Sequence, residues 1–365
     1  MKKFLKKISY TVFPMWLIAV GIVVYLSLYV VPNISGDISR LALLPFGHEY
    51  ERNLGKQMLK EILYPTIEKT DTLKHLHVQV LNIGDSFSAL GIGSHQNYLC
   101  HKGLSLINTE RGLYKSPIQY AYNIMDKGII DSTNVQTLIV QVAERDFVRY
   151  IESFEVDKID MVEDYDPSDG SGSGQDDHKW SLAGKQEPNS WSLTRARDWV
   201  MYRIGRGNPI YTSRLDKDYF SSKEPDLLYF YSYDITNGLS INPKNDEKVV
   251  QVFNTLCAKA RKKGLYFILM VAIDKYDLYQ RHIVDNPYPA KTINEDIERI
   301  LGQSPHLLLT KHCLLPMVDK GEQDVFRFND THWSYKASDI IADCLYQRIT
   351  TYFGHQDIKK IVSGK

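Results

Sequence analysis

The chain is poor in cysteine and carries no surplus of either charge. Four cysteines, Cys100, Cys257, Cys313 and Cys344, are scattered over 365 residues without a C-x-x-C pair. That spacing argues against a zinc site, and it assigns no disulfide. Cys257 and Cys344 fall on the apolar faces of predicted helices, where they read as buried free thiols. Lysine plus arginine (44) balances aspartate plus glutamate (44), so the chain lacks the electrostatic footprint of a nucleic-acid binder. Beyond one N-terminal run, no segment is long and apolar enough to span a bilayer. What is present in quantity is tyrosine, 24 residues, which suits both carbohydrate-facing surfaces and half-buried strands.

The N-terminal run is the strongest bulk feature. Lys2, Lys3, Lys6 and Lys7 precede an uncharged stretch whose apolar part runs from Thr11 to Val31. At 1.5 Å per residue it covers roughly 30 Å of hydrocarbon. Pro14 falls in the first turn, where a missing N–H costs little. The lysines place residues 1–10 in the cytoplasm and everything after Pro32 outside. The run ends "YLSLYVVPNISG", without the small-residue pattern of a cleaved signal peptide. A retained single-pass anchor over 11–31 is therefore expected.

Residues 32–75 read as a stalk with a lead-in helix from Glu49 to Ile67. From Leu76 the pattern becomes strand, turn and helix, repeated. "HLHVQVL" before Asn82, "GLSLINT" (Gly103–Thr109), "VQTLIVQV" (Val135–Val142) and "GLYFILMVAI" (Gly264–Ile273) read as strands, and Pro117–Met125 as a helix. Nearly all-apolar strands belong to parallel sheets buried on both faces. A helix over about 245–263 presents Val249, Val252, Phe253, Leu256, Cys257 and Ala260 as one stripe, with Gly264 as its C-terminal cap. The expectation is an α/β three-layer sandwich with a mostly parallel sheet over 76–355 and a short tail over 356–365.

An insertion over about 160–190 breaks the alternation. "VEDYDPSDGSGSGQDDHKW" is rich in Asp, Gly and Ser. Its acidic spacing is one residue too long for a calcium loop and lacks the distal glutamate, so it reads as a solvated loop. After it, Arg195, Arg197, Arg203 and Arg206 lie on an amphipathic pattern that suits either anionic groups or solvent. No metal or cofactor is expected.

Two short blocks carry chemistry. "NIGDSFS" (Asn82–Ser88) places Ser86 just past a strand end, after Gly84. "NDTHWS" (Asn329–Ser334) follows an alternating Phe326 and Phe328 and precedes a helix that Ser334 can cap, with Ala337, Ile340, Ile341, Cys344 and Leu345 on its apolar face. An Asp two residues before a His lets the carboxylate hold Nδ1–H while Nε2 takes a proton from a serine. Ser86 is the candidate nucleophile, His332 the base and Asp330 its orienting acid.

The pair "GDSFS" and "DTHWS" resembles the SGNH/GDSL hydrolase-like superfamily, and within it the membrane-anchored branch related to alginate O-acetyltransferases. "VAIDKYDLYQ" (Val271–Gln280) is similar to a strand-end segment of that branch, with Lys275 and Tyr279 in the matching places. The likeness spans Leu76 to about Ile349. Two departures stand out: here Ser86 precedes His332, the order of ordinary SGNH hydrolases, and Lys336 replaces a glycine before Ala337. The resemblance implies oxyanion donors from the serine's own N–H and from residues after the second and third strands. Arg111, Glu144 and Arg145 occupy those places, and with Lys275 and Tyr279 they form the candidate oxyanion or substrate-binding set.

The resemblance further implies an O-acyltransferase, acetyl being the usual group, that modifies an envelope or exported polysaccharide through an acyl-serine. A donor protein with several membrane spans would hand over the acyl group. An esterase of acylated glycans with the same triad, or a non-catalytic glycan-binding scaffold, are the alternatives.

Overall fold

Six strands form one sheet in which every pairing is parallel. The computed structural model describes residues 2–25, 36–38, 59–75, 77–162 and 210–362. In chain order the sheet strands are β1 (Thr66–Ile67), β2 (Val80–Gly84), β3 (Leu106–Thr109), β4 (Thr137–Ala143), β7 (Tyr266–Ala272) and β8 (Leu307–Leu309). A separate antiparallel pair is β5 (Ile210–Arg214) with β6 (Leu227–Tyr231). The helices are α1 (Lys2–Tyr25), α2 (His95–His101), α3 (Pro117–Asp126), α4 (Glu144–Glu152), α5 (Tyr233–Thr236), α6 (Asp246–Lys262), α7 (Lys275–Tyr279), α8 (Ile293–Leu301), α9 (Thr310–Asp319) and α10 (Tyr335–Val362), the last broken at Gly354.

The apolar strands dictate the layers. β4 and β7 are buried along their whole length and pair from Thr137↔Tyr266 to Ala143↔Ala272. Alternate residues point to opposite faces. Val80, Ile139, Ile268 and Met270 join a core with Leu99 of α2, Leu314 of α9, and Ala337, Ile341 and Leu345 of α10. Leu81, Ile83, Leu138, Val140, Phe267 and Leu269 join another with Ile118 of α3, Phe147 of α4, Leu256 of α6 and Ile297 of α8. Helices thus cover both faces, an arrangement compatible with a three-layer sandwich.

The strand order is β1-β3-β2-β4-β7-β8. The chain steps from β2 outward to β3, then returns past β2 to build β4 on its other side. Such a reversal opens a crevice at the carboxyl end of the strand where it occurs, the place where open α/β sheets bind ligands. Here that strand is β2, and Ser86 lies two residues beyond it.

Several expectations need correcting. The lead-in helix does not reach Ile67: residues 59–65 are not helical, and Thr66 and Ile67 pair with Asn108 and Thr109 as an edge strand. Pro65 bars helix from its predecessor and the next two residues are β-branched, both of which favour extended chain. Phe326 belongs to no strand and makes a single bridge to Trp333. Cys344 is not a free thiol, because α9 and α10 bring it to Cys313 in a disulfide with Cα atoms 6.8 Å apart. Cys257 is free and half-buried. Of the two roles open to the tyrosines, Tyr120, Tyr219, Tyr266, Tyr276 and Tyr279 take the interior one, being fully buried, while Tyr10, Tyr233 and Tyr352 are exposed.

Among the described residues, no helix is long and apolar enough to cross a membrane. The expected anchor over 11–31 coincides in part with α1, and 26–31 lie outside the described residues. The side chains described in α1 fall between Tyr10 and Ile22, which at 1.5 Å per residue covers only about 20 Å. Val12, Phe13, Met15, Trp16, Leu17, Ile18 and Ile22 among them are exposed. The acidic Gly/Ser insertion from 163 onward and the arginine-rich stretch after it also lie outside the described residues.

One buried group gives the fold a testable pH dependence. His95 opens α2 fully buried, with its ring 6.2 Å from that of Trp333, and burial pushes its pKa from 6.5 down to about 3. Between those values the unfolded chain holds a proton that the folded chain refuses, so His95 makes stability fall as pH falls through this window. Relative to wild type, His95→Phe should gain melting temperature progressively below about pH 6.5. The free-energy difference should grow by at most about 1.4 kcal/mol per pH unit. A difference that stays constant from pH 7.5 to pH 4 would show that His95 is not the group responsible.

Candidate active site

The serine turn is built by buried polar groups at the ends of β2, β3 and β4. Asp85 caps the helical turn Ser86–Ser88, accepting from Phe87 N–H at 3.1 Å. Its carboxylate also accepts from Gln141 Nε2 at 2.8 Å and from the Ala143 N–H. Asp85 therefore clamps the turn to β4 and is not an acid for the histidine. Gln141 in turn accepts from Asp85 N–H at 3.1 Å and Ser88 Oγ at 2.8 Å. Asn82 donates to Ser88 Oγ and to Asn108, and Gln96 donates to the Ser88 carbonyl at 2.9 Å. Ser86, at the first position of the turn, is half-buried, and its N–H is one that a helix start leaves without an intrahelical acceptor.

The histidine sits on the loop between α9 and α10. Its Nδ1 lies 2.6 Å from Asp330 Oδ1, and the same oxygen accepts the His332 N–H at 3.0 Å. One carboxylate oxygen thus fixes both the backbone and the ring, leaving Nε2 as the nitrogen that can take a proton. Nε2 is buried and makes no hydrogen bond among the described residues, so none joins it to Ser86. Phe87 brings the two blocks together. Its buried ring lies 4.8 Å from that of His332 and 4.5 Å from that of Trp333, and Phe87 follows Ser86 directly. The candidate base and the candidate nucleophile are therefore brought together beyond the carboxyl end of β2 by one phenyl ring.

Electrostatics favour a charged imidazole. Burial opposes the charge on His332, but the Asp330 carboxylate, its hydrogen bond and the nearby Asp37 together carry the pKa above its ordinary value. Burial likewise opposes the Asp330 anion, and the contacts with His332 and Arg327 outweigh it, holding Asp330 well below the usual carboxylate range.

The candidate oxyanion residues take other places. Glu144 is fully buried, accepting from Asp274 N–H at 2.9 Å and Asn294 Nδ2 at 2.7 Å. Arg145 reaches Asp274 at 2.7 Å and Asp234 at 3.3 Å, and its guanidinium carbon lies 5.9 Å from the Phe87 ring centre. Lys275 lies behind the histidine loop, where Nζ donates to the carbonyls of Arg327, Phe328 and Asp330 at 2.8, 2.9 and 3.2 Å. Burial pushes its pKa down to about 7 despite the pull of Asp330 and Asp37. Tyr279 is buried among Tyr219, Phe220 and Phe326. Arg111 is half-buried in the turn Arg111–Leu113, next to the capping Glu110. Of these, Arg145 acts directly on His332, lowering the imidazole's pKa.

Asp37, outside every motif, reaches the same loop. With Asp330 and His332 it places three potential ligand atoms within 4.8 Å of one another. Nδ1 already engages Asp330, and the Asp37 oxygens accept from Thr331 N–H and Oγ1. The trio is a hydrogen-bonded carboxylate–imidazole set rather than an open cation site. Asn82, Gln96, Asn108 and Gln141 also went unmarked in the sequence, where isolated amides have no pattern.

Comparison with family models, with curated proteins and with solved structures returns no match.

Gly84 makes the serine turn testable. A Cβ there would overlap Ser88 Oγ and come within 2.7 Å of Gln141 Oε1. Gly84→Ala should cost about 1–3 kcal/mol as an overpacked position and displace Ser86. Chemical denaturation checks the first expectation, and the rate of labelling by a serine-directed fluorophosphonate the second. Wild-type values for both would mean that the Ser88–Gln141 contact does not fix the turn.

Proposed function

We propose that this protein is an SGNH-type O-acyltransferase that modifies a polysaccharide through an acyl-Ser86 intermediate. The observation that carries the reading is His332: Nδ1 is held by Asp330, Nε2 is uncommitted, and the ring packs on the residue after Ser86. In the first half-reaction Ser86 Oγ attacks the acyl carbonyl and Nε2 takes the hydroxyl proton. That proton passes to the leaving group as the tetrahedral intermediate collapses to the ester. In the second, an acceptor sugar hydroxyl loses its proton to Nε2 and attacks the ester, and Ser86 Oγ recovers the proton. The Ser86 N–H would donate to the oxyanion, as the resemblance implies.

Two features favour transfer outside the cytoplasm. The Cys313–Cys344 disulfide suits an oxidising compartment. The exposed apolar side chains of α1, preceded by Lys2, Lys3, Lys6 and Lys7, suit a single-pass anchor with a cytoplasmic N-terminus. An anchored domain would stand beside a multi-spanning partner that delivers the acyl group, where acyl-CoA is absent.

Ser86→Ala and His332→Ala should each lower acyl turnover by about 10³-fold or more, with melting temperature nearly unchanged, and the double variant should lose little beyond either one. Asp330→Asn should keep the most activity, because only ring orientation and charge support are lost. The substrates to use are a chromogenic acetyl ester with and without an oligosaccharide acceptor. Acylated oligosaccharide marks the transferase, and hydrolysis alone the esterase. Full turnover by Ser86→Ala would remove the triad.

A further inference from the structure

Three consecutive residues between α1 and the sheet domain dock on the histidine loop. Gly36 lies so close to Asn329 that a Cβ would overlap its backbone carbonyl, and its φ of +85° is one that glycine adopts without strain. Ile38 is fully buried in the core that also holds Phe87 and Trp333. Between them, Asp37 Oδ1 accepts the Thr331 N–H at 2.7 Å, and Oδ2 accepts the Thr331 hydroxyl. Oδ2 also stands 3.7 Å from His332 Nδ1, on the side of the ring that Asp330 engages.

We propose that Asp37 is a second carboxylate partner of His332, a positioning residue supplied from the chain ahead of the α/β domain. Asp330 holds the ring by a direct hydrogen bond. Asp37 pins Thr331, the residue between Asp330 and His332, through two hydrogen bonds, and the charge of its carboxylate favours the proton on the ring. Burial and the Asp330 anion raise the pKa of Asp37 itself, while His332 and Thr331 lower it. The Gly36 and Ile38 contacts fix where that charge sits. The setting of the imidazole therefore draws on residues 36–38, which lie ahead of the α/β domain in the chain.

The other charged groups around the imidazole come from separate elements. Asp330 and Arg327 share its loop, Arg327 standing 3.8 Å from the second Asp330 oxygen. Arg145 acts from α4 across Phe87, and Lys275 from α7 behind the loop. Tyr231, at the end of β6, senses the Asp37 charge as well. Removing the Asp37 charge leaves Asp330 as the sole anion on Nδ1 against these cations, so the imidazole should release its proton at lower pH.

The inference builds on the reading of His332 as the base, but its test does not need turnover. In the full-length protein in detergent, the His332 ring is titrated by nitrogen-15 NMR, with His332→Gln to assign its signal. Asp37→Asn keeps an acceptor for Thr331 and loses the charge, and it should lower the His332 pKa by about one unit. The acid limb of the pH–rate profile for acetyl-ester turnover should move down by the same amount. Asp37→Glu should retain most of the wild-type value. Gly36→Ala, which unseats the segment without touching the carboxylate, should reproduce the Asp37→Asn shift. A His332 titration in Asp37→Asn that matches wild type overturns the inference, even if the variant is less stable, since a merely structural contact would do that. The enzymatic reading fails separately, on turnover by Ser86→Ala.

Discussion

The buried ammonium of Lys275 is the constraint on which the histidine loop depends. It begins α7 at the carboxyl end of β7 and donates to three carbonyls of the loop that carries Asp330 and His332. A loop of this kind folded over a sheet edge has carbonyls that neither helix nor strand can satisfy, and each one left unpaired costs about 1–3 kcal/mol. Lys275 meets three of them with one side chain. The cost is a desolvated ammonium, visible in its lowered pKa, and Asp330 and Asp37 offset part of it. The phenyl ring of Phe220, 5.1 Å from Nζ, closes the remaining side. A residue that the resemblance placed among oxyanion or substrate contacts thus supports the His332 loop from behind.

A second layer of buried charge braces the same edge. Glu144, Asp234, Asp274 and Asp277 interlock with Arg145, Lys291 and Lys311 where β4 and β7 end. Burial and the neighbouring Asp277 raise the Glu144 pKa well above the usual carboxylate range. Burial and Asp274 also lift Asp234 to about 7, which shows how little negative charge the cluster tolerates. Buried ion pairs contribute little net stability because desolvation consumes the Coulomb gain. Their use here is geometric: Asp274 fixes Arg145, and Arg145 lies against Phe87, the ring on which His332 rests.

What could be read from the sequence followed the range of the signal. β4, β7 and α6 announce themselves because periodicity and continuous apolar runs are local, and their observed bounds fall within about two residues of those expected. Asp330 and His332 are two residues apart, so their pairing is local too. Asp37 and Thr331 are separated by 294 positions, and nothing near either one signals the other. The Cys313–Cys344 pairing depends on how α9 lies against α10, which no spacing rule supplies. β1 and β8 are short edge strands with too few residues to show a period. Lys275 was visible as a residue, but its direction was not, because a side chain at a strand end can point toward the crevice or away from it.

The charges around His332 pull in opposite directions, and that opposition suits the base-then-acid role proposed for it. Asp330 and Asp37 stabilise the imidazolium, while burial and Arg145 oppose it. In the acyl transfer proposed above the same nitrogen would both take and give a proton, and a pKa near the working pH serves both steps. Each opposing group comes from a different element: the α9–α10 loop, α4 and the docked residues 36–38. The proton affinity of Nε2 is therefore set by tertiary packing, and a shift of α4 or of residues 36–38 changes it without moving Asp330 or His332.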